Sequence, residues 1–233
     1  MRPAPSARER APEDVRGMFD AIAPTYDRAN HLLSLWVDRY WRRRAVAEVR
    51  RRLGGSAPRI LDLCCGTGDL ALALRRGIPG AELVGADFSL PMLRLARRKG
   101  GGGSNAWLQA DGLKLPFGDA SFAAVTVGFG FRNLSDYAAG LAELRRVLAP
   151  GGVCAILEAA RPGFAPLRWY LERVLPRLGG WISGNAAAYR YFPDSVAQFP
   201  APAALAAMMR AAGFGEVSVR RLPPGLATLH LAS

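Results

Sequence analysis

The spacing of apolar positions changes character along this chain, and the changes mark its elements. Val15, Met18, Phe19 and Ile22 recur at helical spacing, and Pro12 stands where a helix can begin, which predicts a helix over Glu13 to Ala23. Pro24 interrupts it. Tyr26 to Ser34 follows as a polar and aromatic cluster between two helices, a connection richer in hydrogen-bonding groups than a plain linker requires. A second helix is expected from Trp36 to Leu53, where Leu35, Val37, Trp41, Val46, Val49 and Leu53 only partly form one stripe among many arginines. Gly54 to Pro58 breaks it.

From Ile60 onward, short apolar runs alternate with helical stretches. Strands are expected at Ile60 to Leu63, Glu82 to Asp87, Ala106 to Ala110, Phe122 to Val127 and Val153 to Glu158. Helices begin near Leu70, Leu90 and Ser135, and Gly100 to Asn105 reads as a flexible connection. This alternation predicts an α/β fold with a mostly parallel sheet and helices on both faces. Residues 161–200 leave the pattern. They hold Trp169, Tyr170, Trp181, Tyr189, Tyr191, Phe192 and Phe199, and read as an inserted cap of one or two helices. A helix over Pro202 to Ala212 and a hairpin of Glu216 to Leu222 with Leu226 to Leu231 close the chain.

Composition adds bounds. At 233 residues, half of them hydrophobic, the chain suits one domain over residues 13–233, with helices at 13–53 and residues 1–12 as a disordered arm. No uncharged apolar run reaches the ~18 residues of a membrane span, and the N-terminus lacks a signal-like segment, so a cytoplasmic protein is expected. The net charge of +12 comes almost wholly from arginine, since Lys99 and Lys114 are the only lysines. Such a surface suits an anionic membrane face or nucleic acid. Cys64, Cys65 and Cys154 lack metal-ligand spacing and read as buried thiols, and no metal constellation is visible.

Candidate chemistry collects at the strand ends. Gly66-Thr67-Gly68 follows the first strand and opens a helix, a turn where main chain can approach a ligand. No Gly-Lys-Ser/Thr follows, which excludes a P-loop, and Ala71 stands where a dinucleotide fingerprint has its third glycine. Asp62 ahead of Gly66 and Gly68 resembles the first motif of S-adenosylmethionine-dependent methyltransferases. Asp87, closing the second strand, can accept from two ribose hydroxyls, and Asp111-Gly112 after the third can accept from an adenine amino group. A nicotinamide oxidoreductase would share the first two features.

Over almost the whole length the chain is similar to the ubiquinone/menaquinone biosynthesis C-methyltransferase family. The residues that carry this are Tyr26-Asp27 with Asn30, the Asp62 to Asp69 turn, Leu115-Pro116-Phe117 and Phe129-Gly130-Phe131-Arg132-Asn133. Arg146-Val147-Leu148, Pro150-Gly151-Gly152, Tyr189-Arg190-Tyr191, Ala212-Gly213-Phe214 and His230 complete it. The resemblance implies a Rossmann-like S-adenosylmethionine-dependent methyltransferase fold, its mostly parallel seven-stranded sheet closed by an antiparallel strand. It implies C-methylation of a prenylated quinol, with cofactor contacts at Gly66, Thr67, Gly68, Asp87, Asp111, Gly112 and Gly128. Asp111-Gly112 replaces a common Asn-Ala, and Gly128 a serine of some members.

Within that reading Arg132 is expected to stabilise a developing phenolate, since guanidinium stays protonated and is a poor base. Asn133 is expected to orient a water or ring oxygen, and Tyr26, Tyr189 and Tyr191 to line the quinol pocket. His31 and His230 are the only histidines, and each reads as a packed or capping group rather than the base. The arginine-rich helix and the aromatic cap are expected to form a rim for peripheral membrane contact, and a homodimer is left open. A methyltransferase acting on RNA is the main alternative, although no Asn-Pro-Pro-aromatic motif follows the fourth strand and no nucleic acid is expected. Another small molecule remains open as the acceptor.

Overall fold

The computed structural model describes residues 11–54, 58–100, 105–183 and 185–233. Ten α-helices and seven strands are assigned among them. The first three helices are α1 (Pro12–Ile22), α2 (Tyr26–Leu33) and α3 (Val37–Leu53), with a 3-10 turn at Ala23–Thr25. β1 (Arg59–Leu63), α4 (Asp69–Gly77), β2 (Glu82–Asp87), α5 (Leu90–Lys99), β3 (Ala106–Gln109) and β4 (Phe122–Gly128) follow. A 3-10 turn at Phe131–Asn133 leads through α6 (Tyr137–Val147) to β5 (Leu148–Ala159). The cap comprises α7 (Ala165–Trp169), a π-turn at Tyr170–Val174, α8 (Leu175–Ser183) and α9 (Ala186–Gln198). α10 (Pro202–Ala211), β6 (Val217–Leu222) and β7 (Ala227–Ala232) close the chain.

The sheet order is β3-β2-β1-β4-β5-β7-β6, with β7 antiparallel to both of its neighbours. β1 therefore pairs with β2 on one side and β4 on the other, both parallel. The chain changes direction of travel across the sheet there, and the crevice beyond those strand ends is where open α/β sheets bind ligands.

Period-two alternation in β5 explains why helices cover both faces. Cys154 and Ile156 pack with Leu141 and Leu144 of α6 and Leu205 and Met209 of α10. Val153, Ala155 and Leu157 turn the other way, toward Trp41, Val46 and Val49 of α3 and Leu70 and Leu74 of α4. The apolar partial stripe of α3 is thus the part that meets the sheet. A third cluster lies off the sheet, where Ile22, Ala29 and Leu33 meet Met92, Leu175, Ala188 and Tyr189. It attaches the cap to the N-terminal helices.

Three expectations change. Tyr26 to Ser34 is not a connection but mostly the helix α2, because Ala29 and Leu33 face the cap and their burial supplies the stabilisation that propensity lacks. The cap has three helices rather than one or two. Pro12, assigned to the disordered arm, is the first helical residue of α1. Residues 1–10 of that arm, and 101–104 of the expected flexible connection, lie outside the described residues.

Candidate active site

Two hollows meet beyond the strand ends. The first is a cleft lined by Gly66, Asp87, Phe88, Met92, Asp111, Gly112 and Gly128 among others. Its floor is set by the β1–α4 turn. Gly66 has φ +54 and Gly68 φ +84, both in the left-handed region. A Cβ on Gly66 would meet nothing within 4 Å, so its bare backbone faces open space. On Gly68 it would lie 2.7 Å from Trp107 Cη2, so that glycine admits close helix–strand packing.

Backbone donors hold Asp87, among them Gly66 N–H to Oδ2 at 2.7 Å and Ser89 N–H to Oδ1 at 2.9 Å. Each oxygen is thus fixed by a backbone donor, and the carboxylate borders the cleft in an arrangement suited to a vicinal diol. Burial pushes this carboxyl up to about 6, against the backbone N–H groups of Ser89, Gly66 and Phe88, which lower it. Asp111 is exposed and accepts from Leu113 N–H at 2.9 Å. Bare backbone at Gly66, a diol acceptor at Asp87, an amine acceptor at Asp111 and apolar walls at Phe88 and Leu113 fit an adenosine-containing cofactor.

Of the residues predicted to touch it, Gly66, Asp87, Asp111, Gly112 and Gly128 line the cleft, whereas Thr67 and Gly68 do not. The Thr67 hydroxyl is buried in another network, donating to Asp27 Oδ1 and accepting from Lys99 Nζ at 3.0 Å.

The second hollow is an apolar cavity between α1, α2, α3 and the cap, lined by Met18, Ile22, Leu33, Leu171, Leu175 and others. Phe19, Tyr26 and Phe129 line both hollows, so they form the seam between them. Tyr26, Tyr189 and Tyr191 all line the apolar cavity. The Tyr189 hydroxyl is buried with no hydrogen-bond partner among the described residues. Burial pushes the Tyr26 phenol up despite nearby Arg132 and Arg42.

Arg132 also lines this cavity and is itself buried. Its Nη1 lies 2.7 Å from Glu158 Oε1 and donates to the Phe129 carbonyl, while Nε donates to Ser195 Oγ at 3.2 Å. Glu158 further accepts the backbone N–H groups of Arg132 and Ala159. Burial works against the guanidinium charge, but Glu158, Tyr26 and Tyr191 outweigh it and raise the Arg132 pKa. The guanidinium carbon sits 5.1 Å from the Phe192 ring centroid. Asn133 lines the cleft, and its Oδ1 accepts from Tyr191 OH at 3.1 Å, which orients the amide.

Glu158 and Ser195 escaped sequence reasoning. Glu158 ends a predicted strand as Asp87 does, a signal that could have marked it, whereas Ser195 carried none. His230 is fully buried, away from both hollows, with Nε2 3.0 Å from the Pro202 carbonyl. Burial raises all three thiols, Cys64 and Cys65 well above the usual range and Cys154 up to about 12, so none is a poised thiolate.

Residues 6–233 match the ubiE/COQ5 methyltransferase family. The chain belongs to that family. A relative described as demethylmenaquinone methyltransferase from Thermus thermophilus is 54% identical over 220 residues, covering 92% of this chain and 98% of that one. Another of the same description from Deinococcus radiodurans is 48% identical, covering 97% and 95%. A ubiquinone/menaquinone biosynthesis C-methyltransferase from Syntrophotalea carbinolica is 44% identical, covering 95% and 94%. Among solved structures, an S-adenosylmethionine-dependent methyltransferase from Thermotoga maritima, described as a possible histamine N-methyltransferase, superposes with a TM-score of 0.67. It is 20% identical and covers 93% of this chain and 98% of that one, a likeness of fold. The family member is therefore an S-adenosylmethionine-dependent methyltransferase with the Rossmann-like fold read from the sequence.

Proposed function

We propose that this enzyme methylates a ring carbon of a prenylated quinol, with demethylmenaquinol as its acceptor in menaquinone biosynthesis. A benzoquinol of ubiquinone biosynthesis is the second acceptor to test. The single observation that carries the reading is the seam of Phe19, Tyr26 and Phe129, where a polar cleft suited to adenosine opens onto an apolar cavity suited to a prenylated ring. The names of relatives described as demethylmenaquinone methyltransferases support the choice of ring.

S-adenosylmethionine supplies an electrophilic sulfonium methyl group. Asp87, Asp111 and the backbone of Gly66, Gly112 and Gly128 would hold it in the cleft. The protein's own work is to bring the acceptor carbon to the seam and to raise its electron density. Arg132 does the second. Its charge is already matched by Glu158, so it acts less as a free positive field than as a fixed, directional donor, with Nη2 uncommitted among the described residues. Asn133, oriented through Tyr191, offers its amide nitrogen to a ring oxygen or water near the cleft. Tyr189 offers a hydroxyl whose lack of a partner is relieved by a quinol oxygen.

Among the described residues no helix is long and apolar enough to cross a membrane. We propose peripheral contact with the inner face of the cytoplasmic membrane instead, through Leu35, Trp36, Phe164, Trp169 and Trp181, which are all exposed. A homodimer is also proposed, and sedimentation of the purified chain tests it. The deciding experiment for the activity is mass spectrometry of quinones from cells lacking this protein. Accumulation of a naphthoquinone short by one methyl supports the reading; an unchanged quinone pool refutes it.

A further inference from the structure

Methylating a quinol carbon releases a proton. The ring hydroxyl ionises, the ring carbon takes the methyl as the sulfonium becomes a thioether, and the ring C–H proton is then lost as the ring carbonyl regains one. One proton in net must leave an apolar cavity for each methyl transferred. Arg132 cannot take it, and burial raises the phenols of Tyr26, Tyr170 and Tyr189. Among the described residues lining that cavity, Asp38 is the single carboxylate, and no histidine lines it.

Asp38 sits on the first turn of α3 and is 4% exposed. Ser34 donates to its Oδ1 at 2.8 Å, while His31 Nδ1 stands 2.7 Å from Oδ2 and Arg42 Nη1 donates to that same oxygen. Oδ1 thus keeps an accepting lone pair. The other nitrogen of His31, Nε2, lies 3.5 Å from Asp69 Oδ2 on α4. Asp69 is 24% exposed and is bound by Lys99 Nζ from α5 at 2.6 Å and approached by Arg42 Nη2 at 3.7 Å. Burial would raise the Asp69 carboxyl, but Arg42, Lys99 and His31 outweigh it and hold it low. Asp27 on α2 completes the ring of charges through Lys99, at 2.7 Å. A buried acid at the cavity wall therefore contacts an imidazole whose other nitrogen approaches a partly exposed acid, a compact cluster that connects the cavity to the surface.

Resting on the quinol methylation proposed above, we infer that Asp38 accepts the ring-hydroxyl proton and that His31 relays it to Asp69 and solvent. Asp38 is then a further catalytic residue, and His31 a positioning and relay residue. The ligand atoms of His31, Asp38 and Asp69 all lie within 4.8 Å of one another, as in a cation site. Arg42, however, reaches both acids, so a guanidinium already supplies positive charge there.

The test uses the full chain with S-adenosylmethionine and a reduced, short-chain demethylnaphthoquinol, beside a ring-fluorinated and more acidic counterpart. Asp38→Asn should lower kcat about 100-fold on the first acceptor with cofactor affinity unchanged, and the deficit should shrink on the acidic one. His31→Gln should lose about tenfold, and added imidazole should restore it. A readout without turnover is the absorbance of 2-naphthol bound to the cofactor-free protein, where Asp38→Asn should reduce the naphtholate fraction at neutral pH. Wild-type turnover in Asp38→Asn, an equal deficit on both acceptors, or activity abolished by a chelator would overturn the relay. If the wild-type chain methylates neither quinol, the functional proposal fails by itself, and the naphtholate measurement still decides whether Asp38 takes a phenolic proton.

Discussion

At the scale of single residues, the buried pair of Arg132 and Glu158 makes the strongest demands. A guanidinium with three side-chain and carbonyl partners needs its planar fork, which lysine lacks. Arg132→Lys is expected to lower kcat by about 100-fold or more while leaving cofactor binding near wild type, measured by turnover and by calorimetry. Unchanged turnover would remove Arg132 from the mechanism. Two further acids set a pH dependence. Asp62 is fully buried beside Thr126, and burial pushes it up to about 7, while Asp87 is pushed to about 6. Both therefore hold protons more tightly folded than unfolded, where the ordinary value is 3.8. Their contribution to stability is present at low pH and is lost as pH rises from near 3.8 through about 7. Asp62→Asn removes the larger share, so the Tm of the cofactor-free variant should gain on wild type between about pH 5 and about pH 8. A Tm difference that stays constant across that range would contradict this.

At the scale of elements, the site depends on two junctions that admit no side chain. Gly68 lets α4 start against β3 through Trp107, and Gly179 lets α8 lie on the Tyr189 ring of α9, where a Cβ would come 2.2 Å from Cδ1. Gly179→Ala should therefore push Tyr189 and reshape the apolar cavity. The expected result is weaker quinol binding, read as a raised KM, with the cleft's affinity for S-adenosylmethionine intact. Equal losses at both sites would show that the cap and the cleft are not separable. The misread connection at Tyr26 to Ser34 belongs to this scale too. Its polar residues Tyr26, Asn30, His31 and Ser34 face the cavity or its acids, so a helix that serves a site looked in sequence like a loop.

At the scale of the whole molecule, Trp36, Trp169 and Trp181 are exposed on a chain of net charge +12. Replacing both Trp169 and Trp181 by Ala should reduce flotation with anionic vesicles, and salt should weaken what remains. Flotation independent of both would reject the membrane-facing rim. The sequence by itself determined the layered α/β architecture, because strands buried on both faces and amphipathic helices each leave a local period that any neighbour must respect. It also marked Gly66, Asp87 and Asp111, since a strand end is a local event and these residues stand at three of them. Only the tertiary structure decided that Thr67 turns away to Asp27 and Lys99, that Glu158 neutralises Arg132, and that Asp38 is the acid facing the cavity. Those relations join residues from different elements, up to 40 positions apart for Thr67 and Asp27. A local pattern records which way a residue faces on its own helix or strand; which charge waits on the other side is settled by packing alone.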